Sequence, residues 1–188
     1  MQAVSDEQLI QWVAAGDESC LGTLFERHHR GVYRFCLQMT RNRATSEDLT
    51  QETFLKIMKS ARTFRGQGSF KAWMFNIARN LTYDHLRQQK RREGTPEQDE
   101  AIRELVDVRS AERTAAGEEI LQQLIEALGD LSDAAREVIW LGRFEFSGYD
   151  DLGKALGCST GAARVRMHRA MKDLNDSYTS INGAPIDA

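Results

Sequence analysis

Apolar residues recur at intervals of three and four through most of the chain, the spacing of one helical face, and no stretch alternates convincingly with the period of two that a strand requires. Ser5 with Gln8 three residues on reads as a capping box opening a first helix through Leu9, Ile10, Trp12 and Val13. Gly16-Asp17 ends it and caps a second helix carrying Leu21, Leu24, Phe25, Val32, Phe35 and Leu37. Thr45 with Asp48 predicts the start of a third helix toward Ala61. A Gly-rich loop over 64–69 precedes a fourth helix over about 70–92. Gly94-Thr95-Pro96 breaks the pattern, and the acidic, aromatic-poor stretch 97–116 reads as a solvated, partly helical linker. A second compact unit begins near Glu118 with an amphipathic helix (Ile120, Leu121, Leu124, Ile125, Leu128). Ser132-Asp133 then caps 134–141, and Ser147 with Asp150 predicts a capping box before Leu152 and Leu156. Gly157-Cys158 is a tight turn, and Ser159 caps a last helix to about Leu174. The small, polar tail after Tyr178 is predicted to fray. The fold class expected is all-α, with two helical domains joined by an acidic linker.

Three helices carry a second face. On the third, Thr50, Phe54, Ile57 and Ala61 share the natural core side, while Asp48, Gln51, Glu52, Leu55 and Lys59 share the opposite one. Leu55 is either a stray exposed leucine or part of a stripe that binds a partner. On the fourth, Phe70, Met74, Ile77 and Leu81 form the core face, which leaves Trp73, Asn76, Asn80, Tyr83 and Arg87 as a separate stripe. Rings that stack, amides that read base edges and cations that meet phosphates suit unpaired bases. The same spacing also suits a second buried face. The segment 149–174, a short helix, a turn at Gly157 and a longer helix, has the helix-turn-helix pattern. Its second helix turns Ala163, Met167, Ala170, Met171 and Leu174 inward and spreads Arg164, Arg166, His168, Arg169 and Lys172 over the remainder. A major groove accepts such a helix; a plain hairpin with a solvated basic face is the other reading.

Composition narrows the class. The 188 residues are 41% hydrophobic and 28% charged, the balance of a soluble globular protein. No apolar run approaches the roughly 20 residues of a membrane span. The first seven residues have neither a basic head nor an apolar stretch, so no signal peptide is expected and the cytoplasm is. Cys20, Cys36 and Cys158 form no CxxC pair, so no disulfide framework is expected. Charge is uneven. Residues 1–93 hold 15 Lys/Arg against 10 Asp/Glu (+5), residues 94–133 hold 3 against 11 (−8), and residues 134–188 hold 7 of each. The net charge of −3 does not itself mark a nucleic-acid binder; the pattern does.

The segments SEDLTQETFLKIM, FRGQGSFKAWMFNIARNLTYDHLR and LGCSTGAARVRMHRAMKDL, in this order and spacing, resemble the extracytoplasmic-function sigma factors, the small two-domain branch of the bacterial sigma family. The resemblance implies sigma domain two over 1–92, an acidic linker over 93–117, sigma domain four over 118–177 and a flexible tail over 178–188. It implies core RNA polymerase and promoter DNA as partners, with an anti-sigma factor as a further one, no membrane insertion, no enzymatic activity and no cofactor. By position, Asp48, Gln51, Glu52 and Leu55 would meet the polymerase clamp helices, which gives Leu55 a reason. Phe64, Arg65, Trp73, Asn76, Arg79, Asn80, Tyr83, Asp84 and Arg87 would melt and read the minus-ten element, with Asn80 and Asp84 where the family reads an extruded base. Ser159, Thr160, Arg164, Arg166, His168, Arg169 and Lys172 would approach the minus-thirty-five duplex. The linker would thread the polymerase's basic channels.

Departures from the family pattern are Ser132 where Pro often follows Leu, Glu145-Phe146-Ser147-Gly148-Tyr149 for Gly-Leu-Ser-Tyr, Gly142 where a phosphate-binding Arg can occur, and Val165 for a polar residue. Rival classes fare worse. His28, His29 and Cys36 lack a fourth metal ligand at suitable spacing. Gly66-Gln67-Gly68 lacks the Lys-Ser/Thr of a phosphate loop. A stand-alone helix-turn-helix regulator would use the C-terminal module but leave the stripes of the third and fourth helices without a purpose.

Overall fold

The computed structural model describes residues 4–66, 68–92 and 115–183, and among them every regular element is helical. The N-terminal unit comprises α1 (Asp6–Ala15), α2 (Ser19–Thr40), α3 (Arg43–Ser60) and α4 (Phe70–Arg92), with a short 3-10 turn at Ala61–Thr63. The C-terminal unit comprises α5 (Ala115–Asp130), α6 (Asp133–Trp140), a π-helical turn at Leu141–Glu145, α7 (Tyr149–Ala155) and α8 (Thr160–Asn182). The expected linker lies outside the described residues, apart from the start of α5.

Local chemistry sets most helix ends. The Ser5–Gln8 capping box forms reciprocally, each bond at 3.2 Å. Gly16 ends α1 at φ 108°, a conformation that favours glycine. Three predicted starts move. Glu18 rather than Asp17 stands at the N-cap of α2, with no side-chain bond of its own, while Asp17 accepts from the Ser19 N–H at 3.2 Å. Asn42 rather than Thr45 caps α3, accepting from the Thr45 N–H at 2.9 Å; a carboxamide in extended backbone satisfies an orphan donor that Thr45, already inside the helix, cannot. Gly148 stands at the N-cap of α7 with no side-chain bond, so Ser147 and Asp150 form no box; Asp150 instead accepts from Lys154 and Thr160. The last helix also runs past Leu174 and Tyr178 to Asn182. Tyr178 packs against the core, and Ser177 donates to Asp130 of α5 at 3.1 Å.

The N-terminal core is rich in rings: Phe35, Phe70 and Phe75 are fully buried, with Ile10, Leu24, Ile57 and Met74 around them. Each such side chain contributes roughly 1.5–3 kcal/mol on burial. The C-terminal core packs Leu141, Leu152, Ala155, Ala163, Ala170 and Leu174, with Trp140, Phe146 and Met167 buried at its margins. Its helix-turn-helix closes tightly enough that a Cβ on Gly153 would sit 2.9 Å from the Cys158 carbonyl oxygen, and Gly157 turns the chain at φ 64°.

The two units pack on each other, α6 against α2 and α7 against α4. Consequently residues 35–40 at the end of α2 are all buried. Phe75 meets Phe146 edge-on, with centroids 5.7 Å apart. Arg41, in left-handed backbone at the α2 terminus, donates to the Gly129 carbonyl at the end of α5.

Candidate nucleic-acid and polymerase interfaces

On α3 the helical period divides the residues cleanly. Thr50, Phe54, Ile57 and Ala61 are buried as predicted, and Leu49 and Thr53 widen that face. Asp48, Gln51, Glu52 and Lys59 are exposed, and Leu55 stands 51% exposed among them. An apolar side chain held in water on a regular helix is available to a partner at no conformational cost.

On α4 the division is less simple. Phe70 and Met74 are fully buried, but Ile77 and Leu81 are only half-buried, and Phe75, Ala78 and Thr82 complete the core instead. The stripe expected to be free is therefore partly covered. Trp73 is half-buried in an aromatic cluster with Phe64 (5.4 Å) and Phe70 (6.1 Å). Asn76 donates to the Ala155 carbonyl of α7 at 3.2 Å, and Asn80 to the Asn76 side chain at 3.4 Å. Tyr83 donates to Glu137 of α6 at 3.2 Å. Arg79 Nε lies 2.6 Å from the other Glu137 oxygen, a close ion contact without hydrogen-bond alignment, and its guanidinium stacks over the Tyr83 ring. Asn80, Asp84, Arg87 and Arg65 remain exposed, Arg87 pairing with Asp84 at 3.1 Å.

Periodicity could not have found what covers the stripe, because it assigns a helix a buried face without saying which element buries it. One signal was present: Glu137 falls among Ala135, Val138 and Ile139, a charge at a core position. It is 2% exposed. Burial raises its pKa above the usual carboxylate range, against the lowering pull of Arg79, Tyr83 and Arg166. Burial, and then the Glu137 charge, push the Tyr83 phenol well above its ordinary value, so it stays a donor.

On α8 the inward set Ala163, Met167, Ala170 and Leu174 is buried and Met171 is half-buried. Arg164, Arg166, His168, Arg169 and Lys172 are exposed, with Ser159 and Thr160 at the helix start. Ser159 accepts from the Ala162 N–H, and Arg164 lies over the Tyr149 ring at 5.3 Å. Gly142 has a packing reason: a Cβ there would stand 2.2 Å from the Met167 methyl, so the turn can sit against α8 only if one of them yields. Val165 is 48% exposed on the same helix. An open cleft of about 650 Å³ separates α4 from α8, bordered by Asn80, Asp84 and Arg87 on one side and Arg166, Arg169 and Asp173 on the other.

His28, His29 and Cys36 do not converge. His28 contacts Asp6 at 2.6 Å, His29 contacts the Phe25 carbonyl at 2.9 Å, and Cys36 is buried beside Thr82. Among the described residues no helix is long and apolar enough to cross a membrane.

Comparison with known proteins supplies the family. Residues 24–92 match the model of Sigma-70 region 2, and residues 121–174 match that of Sigma-70 region 4. α1 lies outside the first match, yet buries Leu9, Ile10 and Val13 in the same core. The RNA polymerase sigma factor CarQ of Myxococcus xanthus is 30% identical over 161 residues, covering 86% of this chain and 90% of that protein. The ECF RNA polymerase sigma-E factor of Haemophilus influenzae is 26% identical, covering 96% of this chain and 98% of its own. In fold, the chain is similar to the sigma factor RpoE solved in complex with the anti-sigma factor NepR from Bartonella quintana, with a TM-score of 0.64 at 24% identity, covering 83% of this chain and 94% of that one. Two region models in order, on a chain whose regular elements among the described residues are all helical and which these two relatives match over most of their length, place it in a single group: the chain belongs to the sigma-70 family of RNA polymerase sigma factors, in its extracytoplasmic-function branch.

Proposed function

We propose that this sigma factor binds core RNA polymerase through Asp48, Gln51, Glu52 and Leu55, opens and reads the minus-ten element with 64–87, and reads the minus-thirty-five duplex with α8. The domain boundaries follow the same reading: 1–92 for polymerase and minus-ten binding, 118–177 for minus-thirty-five binding, and the acidic segment between them as the connector. The observation that carries it is α3, where a sealed core face stands opposite a polar stripe holding an exposed leucine. A fold alone does not need that leucine; an interface does. α4 supports the second role with Asn80, Asp84 and Arg87 in water at the end of an aromatic–amide stripe. α8 supports the third with exposed cations on a helix-turn-helix whose Ala163, Met167, Ala170 and Leu174 are buried. It acts in the cytoplasm, where polymerase is, and an anti-sigma factor that covers the α3 and α4 faces is its natural antagonist.

Co-purification tests the reading. The chain should bind core polymerase without DNA, and the assembly should start transcripts at promoters that core alone ignores. Asn80→Ala should leave polymerase binding intact while lowering strand opening, read by permanganate reactivity of thymines. A chain that binds duplex but not polymerase would be a stand-alone helix-turn-helix regulator instead, the reading that leaves region 2 idle.

A further inference from the structure

The outward side of α8 carries one residue that its charge does not account for. At about 100° per residue, Val165 falls nearly opposite the buried row Ala163, Met167, Ala170 and Leu174, at the middle of the exposed arc. It is 48% exposed. Arg164, Arg166, His168, Arg169 and Lys172 are exposed around it. No carboxylate lies between Ser159 and Lys172, and Asp150 of α7, which reaches Thr160, is also engaged by Lys154. One turn before Val165, Gly161 is exposed, and a Cβ built there would meet nothing within 4 Å, so the helix surface is low and open at that point. The Arg164 guanidinium lies over the Tyr149 ring of α7, 5.3 Å from its centroid, and leaves the valine uncovered.

Helix stability does not ask for valine at such a position. A β-branched residue is a poorer helix former than alanine or a straight chain, and methyl groups left in water return no hydrophobic energy. A single exposed apolar residue is common, so exposure alone assigns nothing. The surroundings assign the partner: an apolar knob at the centre of a basic arc fits a surface that is polyanionic and, at one point, apolar.

We propose that Val165 is a specificity-determining residue of the minus-thirty-five contact and reads the C5-methyl group of a thymine in the major groove. The inference rests on the minus-thirty-five role given to α8 above and adds the base that one side chain selects. Valine has neither donor nor acceptor, so it cannot answer the hydrogen-bonding edges of the bases. Of the groups that base pairs display in the major groove, the thymine methyl is the apolar one. A cytosine in the same place would turn an amino group toward the valine, stripped of water and without a partner. The two valine methyls are held in place, because a β-branched side chain in a helix keeps one dominant rotamer, so contact costs little freedom. The cations around it set the height and register of the helix through phosphates. The low surface at Gly161 lets the backbone come close to the base edges.

The test uses the full chain assembled with core polymerase. A library of randomised duplexes is selected for retention by that assembly, which defines the upstream element. Each thymine of the element is then replaced in turn by deoxyuridine, which removes the methyl group and keeps every hydrogen-bonding group, and affinity is read by fluorescence anisotropy. At one position the wild type should bind the uracil form roughly fourfold more weakly, the worth of about one buried methyl group. Val165→Ser, which keeps no methyl group, should bind both forms alike. Val165→Thr, which keeps one, should retain part of the difference. Circular dichroism and affinity for core polymerase are measured for each variant. A wild type indifferent to the methyl group at every thymine overturns the proposal, as does an element without thymine, or Val165→Ser keeping the full difference. Weaker polymerase binding by Val165→Ser with methyl discrimination unchanged would make Val165 a protein contact and overturns it too. An assembly that selects no upstream element defeats the minus-thirty-five role together with this inference. An element that depends on Arg164 and Arg169 but ignores the methyl group defeats the inference alone.

Discussion

α3 and α4 are neighbours in one unit, both amphipathic, both with a polar stripe opposite an apolar face, yet they meet opposite fates. The α3 stripe stands in water with Leu55 uncovered, while the α4 stripe is half-buried by a second unit that supplies carbonyl and carboxylate acceptors. The difference lies in what each stripe offers. Amides, a phenol and a guanidinium are unsatisfied donors that any acceptor-bearing surface can occupy, whereas an isolated leucine among carboxylates needs a partner of matching shape. A stripe suited to DNA is therefore also a stripe that acidic protein can cover.

The largest effect is expected where α4 meets both cores. Phe75 is fully buried and contacts Phe35 within region 2 and Phe146 across the units. Phe75→Ala should cost about 3–5 kcal/mol by lost transfer energy and residual cavity, read by chemical denaturation. It should also separate the units, so the comparison breaks on both sides at once. A loss below about 1 kcal/mol would mean that the contact is loosely packed.

Leu55→Asp should leave denaturation unchanged and weaken core polymerase binding by roughly tenfold or more, the worth of one interface leucine at about 1.5–3 kcal/mol. The outcome sharpens the contrast, because the same assay on Glu137→Gln should not weaken polymerase binding. Unchanged affinity with a native melting curve would sink the assignment of the α3 face.

Much of this contrast could be read from the residues, and one half could not. Period located α1, α4 and the helix-turn-helix, caps located the starts of α1 and α8, and the exposed Leu55 followed from its angle on α3. Asn42 was missed as a cap because Thr45 and Asp48 imitate a start one turn later. Phe75, Ala78 and Thr82 were missed because a helix buried by two neighbours has a wider apolar arc than one amphipathic stripe. The extension of α8 was hidden by its polar sequence, since what keeps it helical is tertiary: Tyr178 on the core and Ser177 on Asp130. The cover on α4 depends on partners more than 40 residues away in sequence, such as Glu137 for Tyr83, and no local pattern encodes that pairing.

Arg164 offers a finer division. It stands in the first turns of α8 with its guanidinium over the Tyr149 ring. If it reads a base bidentately, Arg164→Ala should cost roughly 1–3 kcal/mol on the preferred minus-thirty-five duplex and relax preference at one position. Arg169, which borders the cleft toward α4, should act on phosphate instead, so Arg169→Ala should weaken all duplexes alike and flatten the salt dependence. Equal losses and equal salt slopes for the two variants would remove the distinction.

The smallest effect is expected from an ion cluster that stays inside region 2. Asp6, in the first turn of α1, accepts from Arg27 at 2.6 Å and contacts His28 at 2.6 Å, both on α2. Burial alone would raise its pKa, but the hydrogen bonds and charges of Arg27 and His28 outweigh burial and hold it below the usual 3.8. A lowered carboxylate stabilises the folded form in full above its ordinary pKa, and the contribution drains away as the pH falls through the lowered one. Asp6→Asn should therefore cost about 1 kcal/mol at neutral pH, discounted for partial exposure, and the gap from wild type should close in acid. Because the cluster crosses no unit boundary, the same variant should leave core polymerase binding unmoved, in contrast to Leu55→Asp. A gap that persists at pH values well below 3.8 would mean that Asp6 acts through packing rather than charge.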